Sequence, residues 1–332
     1  MKKLILSLLV SIPISLTLAS TQALAQALDP DFSLTVFPPT VYLTIKPGSS
    51  MTHRILLKYD GKIAVKINPE LVDFATDGLT GLPILQKPSK LGYIKLQNPD
   101  KQLGTPFLLK PNSQVELILK IDPPLHAKRA EYPLTLLLTA VPDTTVIFDG
   151  SSAQTSGAVA SNVILSVQDD YDNQGELEID HLKLPKIVDS FASIKFSTLV
   201  KNTGRNAVAV GGKIQLRHGW SGKELKKWFI YPDVVLAENT RQLRGLLQDP
   251  DALEPNQEIT FEELSYKPPF LIGPYEVIVD VGSANQADNV IQQRTQQVIA
   301  LPLSVIGLLG LGLILYLAYY RLEGKKLQQK QY

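Results

Sequence analysis

Apolar side chains recur at every second position over much of this chain. That period places alternate residues on opposite faces of an extended strand, so the fold must be built from half-buried β-strands. His53, Ile55, Leu57 and Tyr59 share one face, as do Val115, Leu117, Leu119 and Ile121, with Glu116 and Lys120 opposite. Leu134, Leu136 and Leu138 repeat the pattern. Ile194, Phe196, Thr198 and Val200 align against Lys195, Ser197 and Lys201, and Tyr275, Val277, Val279 and Val281 against Glu276 and Asp280. Turn sequences separate these runs: Lys46-Pro47-Gly48, Asp60-Gly61, Lys110-Pro111-Asn112, Asn202-Thr203-Gly204, Glu254-Pro255-Asn256 and Gly273-Pro274. With 23 prolines, long helices have little room. A turn or two of helix is expected only within residues 236–248.

The two ends read differently. Residues 298–320 are almost entirely apolar and precede Arg321, Lys325, Lys326 and Lys330. A helix needs about 20 such residues to cross a bilayer core. The basic cluster marks the cytoplasmic side, because only Arg294 stands close before the run. Tyr316, Tyr319 and Tyr320 fall at the inner boundary, where amphipathic rings favour headgroups. Pro302 is expected in the first turns of this helix, where its missing donor costs least. Gly307, Gly310 and Gly312 include no pair four apart, so the common helix-dimer motif is missing. At the other end, Lys2 and Lys3 precede an apolar run. Ala23-Leu24-Ala25 then forms a small-x-small cleavage site before Gln26, the pattern of a secretory signal.

These features predict an all-β chain of two tandem immunoglobulin-like β-sandwiches followed by a single transmembrane α-helix. The expected divisions are a signal peptide at 1–25, a first sandwich at 26–170, a second at 176–284, a span at 298–320 and a basic cytoplasmic tail at 321–332. The boundary between the sandwiches falls in the acidic stretch 168–175. Residues 143–157, small and polar, read as a hairpin loop between the last two strands of the first sandwich.

Charge and cysteine content exclude several functions. The chain has 33 Lys+Arg and 32 Asp+Glu. Six of the basic residues (Lys2, Lys3, Arg321, Lys325, Lys326, Lys330) but only Glu323 among the acidic ones lie outside the exported part. That leaves 27 basic against 31 acidic residues, a mild acidic excess that argues against nucleic acid as a partner. There is no cysteine, which removes disulfides, thiol catalysis and thiolate metal sites. A short signal, no cysteine and no Asn-x-Ser/Thr acceptor together point to a bacterial cell surface.

The first half shows Pro38-Pro39, Lys46-Pro47-Gly48-Ser49, Ala75-Thr76-Asp77-Gly78 and Glu131-Tyr132-Pro133-Leu134, and ends in an apolar strand at 163–167. In these signatures it resembles the N-terminal domain of bacterial WxL-interacting cell-surface proteins. The second half, with Val200-Lys201-Asn202-Thr203-Gly204, residues 235–241 and Gly273-Pro274-Tyr275, is similar to the immunoglobulin-like domain that follows in that family. The resemblance implies association with peptidoglycan and with a secreted protein partner, through no particular residue.

Few constellations carry chemistry. His53, His126, His181 and His218 are the only histidines and show no ligand spacing. No Gly-x-Ser-x-Gly elbow occurs. Catalytic residues and cofactors are accordingly not expected. Asp170, Asp172 and Gly175 match three positions of a calcium loop, but Gln174 and His181 break the pattern. A looser calcium site would use Asp169, Asp170 and Asp172, against the alternative of a solvated acidic linker. Trp220, Trp228 and Tyr231 are candidate ligand-contacting aromatics, with core packing the competing role for Trp228. Residues 69–92 read as a long mixed loop suited to recognition, with an excursion packed on a sheet edge as the alternative, and an unpaired strand edge of the first domain could pair with a partner. The favoured function is a non-enzymatic, membrane-anchored binder of a cell-envelope component, either a cell-wall polymer or a surface protein. Two alternatives are a structural subunit of a membrane complex and an accessory module acting on surface glycan. The glycan role requires Asp73, Asp77 and Trp220 in one cleft.

Overall fold

A computed structural model describes residues 32–142, 156–169, 176–254, 258–284 and 290–329. The expected signal peptide, most of the acidic linker and the hairpin loop after residue 142 lie outside the described residues. The first ten strands are β1 (Phe32–Phe37), β2 (Thr40–Ile45), β3 (Met51–Gly61), β4 (Val65–Thr76), β5 (Pro83–Pro88), β6 (Ile94–Leu96), β7 (Phe107–Leu109), β8 (Ser113–Ile121), β9 (Ala130–Pro142) and β10 (Gly157–Val167). They form two sheets, ordered β1-β3-β8-β6 and β2-β10-β9-β4-β5, with β7 also paired to β4. The chain passes from one sheet to the other between β1, antiparallel to β3, and β2, parallel to β10.

The period-two pattern is what joins these sheets. Ile55, Leu57 and Tyr59 of β3 and Leu117, Leu119 and Ile121 of β8 meet Leu134, Leu136 and Leu138 of β9 and Val163 and Leu165 of β10, all essentially without solvent exposure. Each such side chain contributes roughly 1.5–3 kcal/mol on burial. Tyr59 keeps its hydroxyl satisfied by donating to the Ile63 carbonyl at 2.7 Å.

The second sandwich contains β11 (Leu177–Lys183), β12 (Ile187–Asp189), β13 (Ile194–Lys195), β14 (Ser197–Asn202), β15 (Val208–His218), β16 (Glu224–Ile230), β17 (Val234–Val235), β18 (Thr240–Gln242), β19 (Gly245–Leu246), β20 (Ser265–Tyr266), β21 (Gly273–Ser283) and β22 (Val290–Leu301). Its main sheet runs β12-β22-β21-β15-β16-β19, faced by β11-β14-β18. Trp228 is fully buried at the centre and meets Phe196 edge-to-face at 5.4 Å. Gly212 lies in the left-handed region at φ 129°, and a Cβ there would sit 2.1 Å from the Asp280 carbonyl, so only glycine fits.

The structure differs from expectation in four places. Residues 69–92 are not one loop, because β4 runs on to Thr76 and β5 folds back to pair with it. Residues 236–248 hold β18 and β19, not a helical turn, because both strands are recruited by pairing with β14 and β16. The second sandwich extends past 284 to Leu301, since β22 pairs along β21 and buries Val298 and Ala300 completely. The apolar helix therefore starts later than residue 298: α1 covers Leu303–Gln329, and Pro302 stands just before it. Apolar composition alone cannot separate a buried strand end from the helix it feeds. Within α1, residues Leu303–Arg321 are long and apolar enough to cross a membrane, with a mean hydropathy of 2.0 and none of that stretch buried in the protein.

Candidate partner-binding edge

The second sandwich meets the first on the face of the β4 and β10 sheet turned away from the first core. Phe74 of β4, Ile164 of β10 and Leu236 form a small shared core with Ala207 and Val234. Glu131 at the start of β9 reaches across this joint, accepting hydrogen bonds from the backbone N–H of Ala207 and, at 2.8 Å, of Ala237. Burial pushes the Glu131 carboxyl above its ordinary value, against the lowering effect of those two amides. The Ser166 hydroxyl donates to Asn206 Oδ1 at 2.7 Å, and the Thr76 hydroxyl to Asn239 Oδ1 at 3.0 Å. On the far side, Asn202 organises the receiving loops by donating to the Asn206 and Val235 carbonyls at 2.7 and 2.9 Å.

The β4–β5 hairpin projects at this joint and is braced by it. At its tip, Asp77 accepts the backbone N–H of Leu79 and of Thr80, both at 2.8 Å, an Asx-type turn. Those amide bonds, Thr80's foremost, hold the Asp77 carboxyl below its usual range. Gly81 lets the Arg241 guanidinium lie against the turn; a Cβ there would fall 2.3 Å from Nη1. Arg241 is itself fixed by the Val234 carbonyl at 3.0 Å and by buried Asp233 at 2.7 Å, which also binds Arg244.

β5 ends its sheet, with no strand on its outer side among the described residues. Every residue of β5 is exposed. Successive strand residues face opposite ways, so Ile84 at 49% and Leu85 at 46% exposure show that neither face of β5 is covered. Leu79 and Leu82 at the turn add further exposed apolar area. Pro83 and Pro88 lack N–H groups and confine backbone pairing to residues 84–87. Two other margins are closed differently. β6 is three residues long with Ile94 and Leu96 buried. Beside β22, Gln292 Oε1 accepts the Ile179 N–H at 3.0 Å and Arg294 donates to the Ile179 carbonyl at 2.9 Å, filling the gap toward β11.

The aromatics named from the sequence separate. Trp228 has no exposed surface and offers no face to a ligand; its place opposite Ile214 on β15 sends it into the core. Tyr231 is half-buried, edge-to-face with Phe261 at 5.2 Å and under the Arg244 guanidinium at 4.6 Å. Trp220 is 70% exposed on the β15–β16 turn. That turn lies at the far end of β15 from Ala207, and eleven strand residues span roughly 35 Å. Asp77 sits at the joint, so Asp73, Asp77 and Trp220 do not share a cleft, contrary to what a glycan-acting role requires. Asp169 is paired with Arg129, while Asp170 and Asp172 lie outside the described residues. His53 Nε2 is buried without a partner, and burial lowers its pKa, as for a histidine packed on a sheet face. A cleft of about 400 Å³ on the outer face of the second sandwich is lined by Lys213, Lys227, Asp251 and Asp280, groups of both signs that single out no ligand charge.

No family model and no curated protein matches the chain. Solved structures similar to it include the class 5 fimbriae chaperone CfaA, at 13% identity over 81% of this chain and 100% of that one, with a TM-score of 0.38. The E. coli chaperone DraB is similar at 12% identity over 81% and 98% of the two chains, TM-score 0.36. A chain of the CsuC–CsuE chaperone–tip adhesion subunit pre-assembly complex from Acinetobacter baumannii is similar at 12% identity over 81% and 99%, TM-score 0.34. The sandwich architecture stands on this chain's own sheets and core, and likeness of this degree assigns no partner.

Proposed function

We propose that this chain is a membrane-anchored, extracytoplasmic protein-binding module that takes a short extended segment of an envelope protein onto the β5 edge. The observation that carries this reading is a strand exposed on both faces and at its outer edge, held rigidly at the joint of two sandwiches. Soluble proteins normally protect such an edge, because its unpaired N–H and C=O groups template another strand. Here the flanking prolines limit the template to residues 84–87, long enough for a short partner strand and too short for open-ended aggregation. Ile84 and Leu85 would each supply apolar burial on one side of the added strand. The basic residues Arg321, Lys325 and Lys326 in the last turns of α1 support an orientation with both sandwiches outside, and the length of β15 then holds β5 well away from the bilayer. A protein partner also agrees with the resemblance to WxL-interacting proteins.

The test is site-specific photocrosslinking in cells, with the reactive residue at Ile84 or Leu85 and a control at Thr35 on β1. A discrete adduct from either β5 position, the one from Ile84 abolished by Leu85→Lys, is the expected result. A partner that crosslinks from Thr35 but from neither β5 position would sink the assignment of this edge.

A further inference from the structure

The base of the second sandwich, at the end opposite the joint, carries a second exposed apolar surface. Trp220, Phe191, Phe270 and Ile272 are exposed at 70, 53, 46 and 50%. All four sit level with the start of α1. Trp220 lies on Gly273, which pairs with Ala300 of β22. Ser190 donates to the Leu301 carbonyl at 2.9 Å and its own carbonyl accepts the Leu271 N–H at 2.8 Å, which puts Phe191, Phe270 and Ile272 around Leu301. Phe191 and Phe270 meet edge-to-face at 5.4 Å.

The helix cannot swing freely from this base. Only Pro302 separates β22 from α1. Asp189, paired with Leu301 through β12, accepts the Ser304 backbone N–H at 2.7 Å and the Ser304 hydroxyl at 3.1 Å. A carboxylate there satisfies an otherwise unpaired amide of the first helical turn and suits its positive end. The Leu303–Arg321 stretch, 19 residues, is about 28 Å long, close to the ~30 Å hydrocarbon thickness. If the helix spans, the outer hydrocarbon boundary falls at Leu303, and the aromatic base lies in the headgroup layer just above it.

We infer that the base of the second sandwich is itself a membrane-contact surface, seated in the outer headgroup layer through Trp220, Phe191, Phe270 and Ile272. Indole and phenyl rings favour that layer. Lys186 and Lys223, exposed beside the same end, would face lipid phosphates. Seating, together with the capped and linkerless joint, stands the ectodomain upright and fixes the height of β5. This inference rests on α1 being the membrane anchor.

The chain's two tryptophans make the test direct, since Trp228 is fully buried and Trp220 is not. The full chain is reconstituted into phosphatidylcholine vesicles, with and without lipid brominated near the top of the acyl chain. Flotation and resistance to alkaline carbonate extraction report anchoring. Expected are flotation, loss of the Trp220 share of the emission in brominated vesicles, no such loss in Trp220→Phe, and diminished loss in Phe191→Asp/Phe270→Asp. A protein that floats and resists extraction but shows no quenching attributable to Trp220 overturns the seating while leaving the anchor intact. A protein that fails to float overturns both.

Discussion

Replacing Glu131 by alanine tests whether the two sandwiches are locked. In the wild type the Ala207 and Ala237 amides both donate to the Glu131 carboxylate. Glu131→Ala leaves both donors without that partner, while Val210, whose amide donates to the Asp233 carbonyl within the second sandwich, keeps its bond. A bond to a charged acceptor contributes roughly 1.5–3 kcal/mol, so local opening at Ala207 and Ala237 is expected to become roughly 10- to 100-fold more frequent. Glu131→Gln retains one acceptor oxygen and should expose mainly one of the two amides. Hydrogen exchange resolved at Ala207, Ala237 and Val210 in the detergent-solubilised full chain reads this directly. Unchanged protection at both alanines in Glu131→Ala would refute the lock. The same residue gives a pH dependence. Because burial raises its folded pKa, the folded state binds the proton more tightly than the unfolded chain. Stability from its titration is fully present below the ordinary glutamate value of about 4.3 and is lost as pH rises through the raised value. The difference in unfolding free energy between wild type and Glu131→Ala should therefore be widest near the acid end of that window and narrow toward neutrality.

Two further outcomes concern stability. Trp228→Ala removes the largest fully buried side chain of the second sandwich and should cost about 3–5 kcal/mol, a drop of roughly 10–20 °C in Tm by calorimetry; a drop of only a degree or two would mean that this core does not limit unfolding. Asp233→Ala strips Arg241 and Arg244 of their shared carboxylate and should cost roughly 3 kcal/mol in urea unfolding, near the low end for a broken buried pair because Arg244 still reaches water. The same variant should free the Gly81 turn, seen as faster exchange of the Gly81 amide that donates to Asp77; unchanged exchange there would show that Arg241 does not brace the hairpin.

The sequence by itself determined which faces are buried. Ile55, Leu57, Leu117, Leu119, Leu134, Leu136, Val277 and Val279 were legible as core because a strand's two-residue period is local and each run carries its own polar face. The apolar helix was legible for the same reason, as a property of consecutive residues, although it runs on through Arg321, Lys325 and Lys326 where a separate tail was expected. Tertiary structure decided what pairs with what. Residues 298–301 look like membrane span by composition and become strand because β21 and the core claim Val298 and Ala300. Residues 236–248 have helix-compatible composition and become strands because β14 and β16 offer free edges. Nothing around Glu131 marks it as a clamp, since its partners are backbone amides 76 and 106 residues away. The open edge at β5 and the separation of Trp220 from Trp228 are likewise global facts. Alternation says that a residue points in or out, but which strand is left unpaired, and which outward aromatic stands beside the helix, follows only from sheet order.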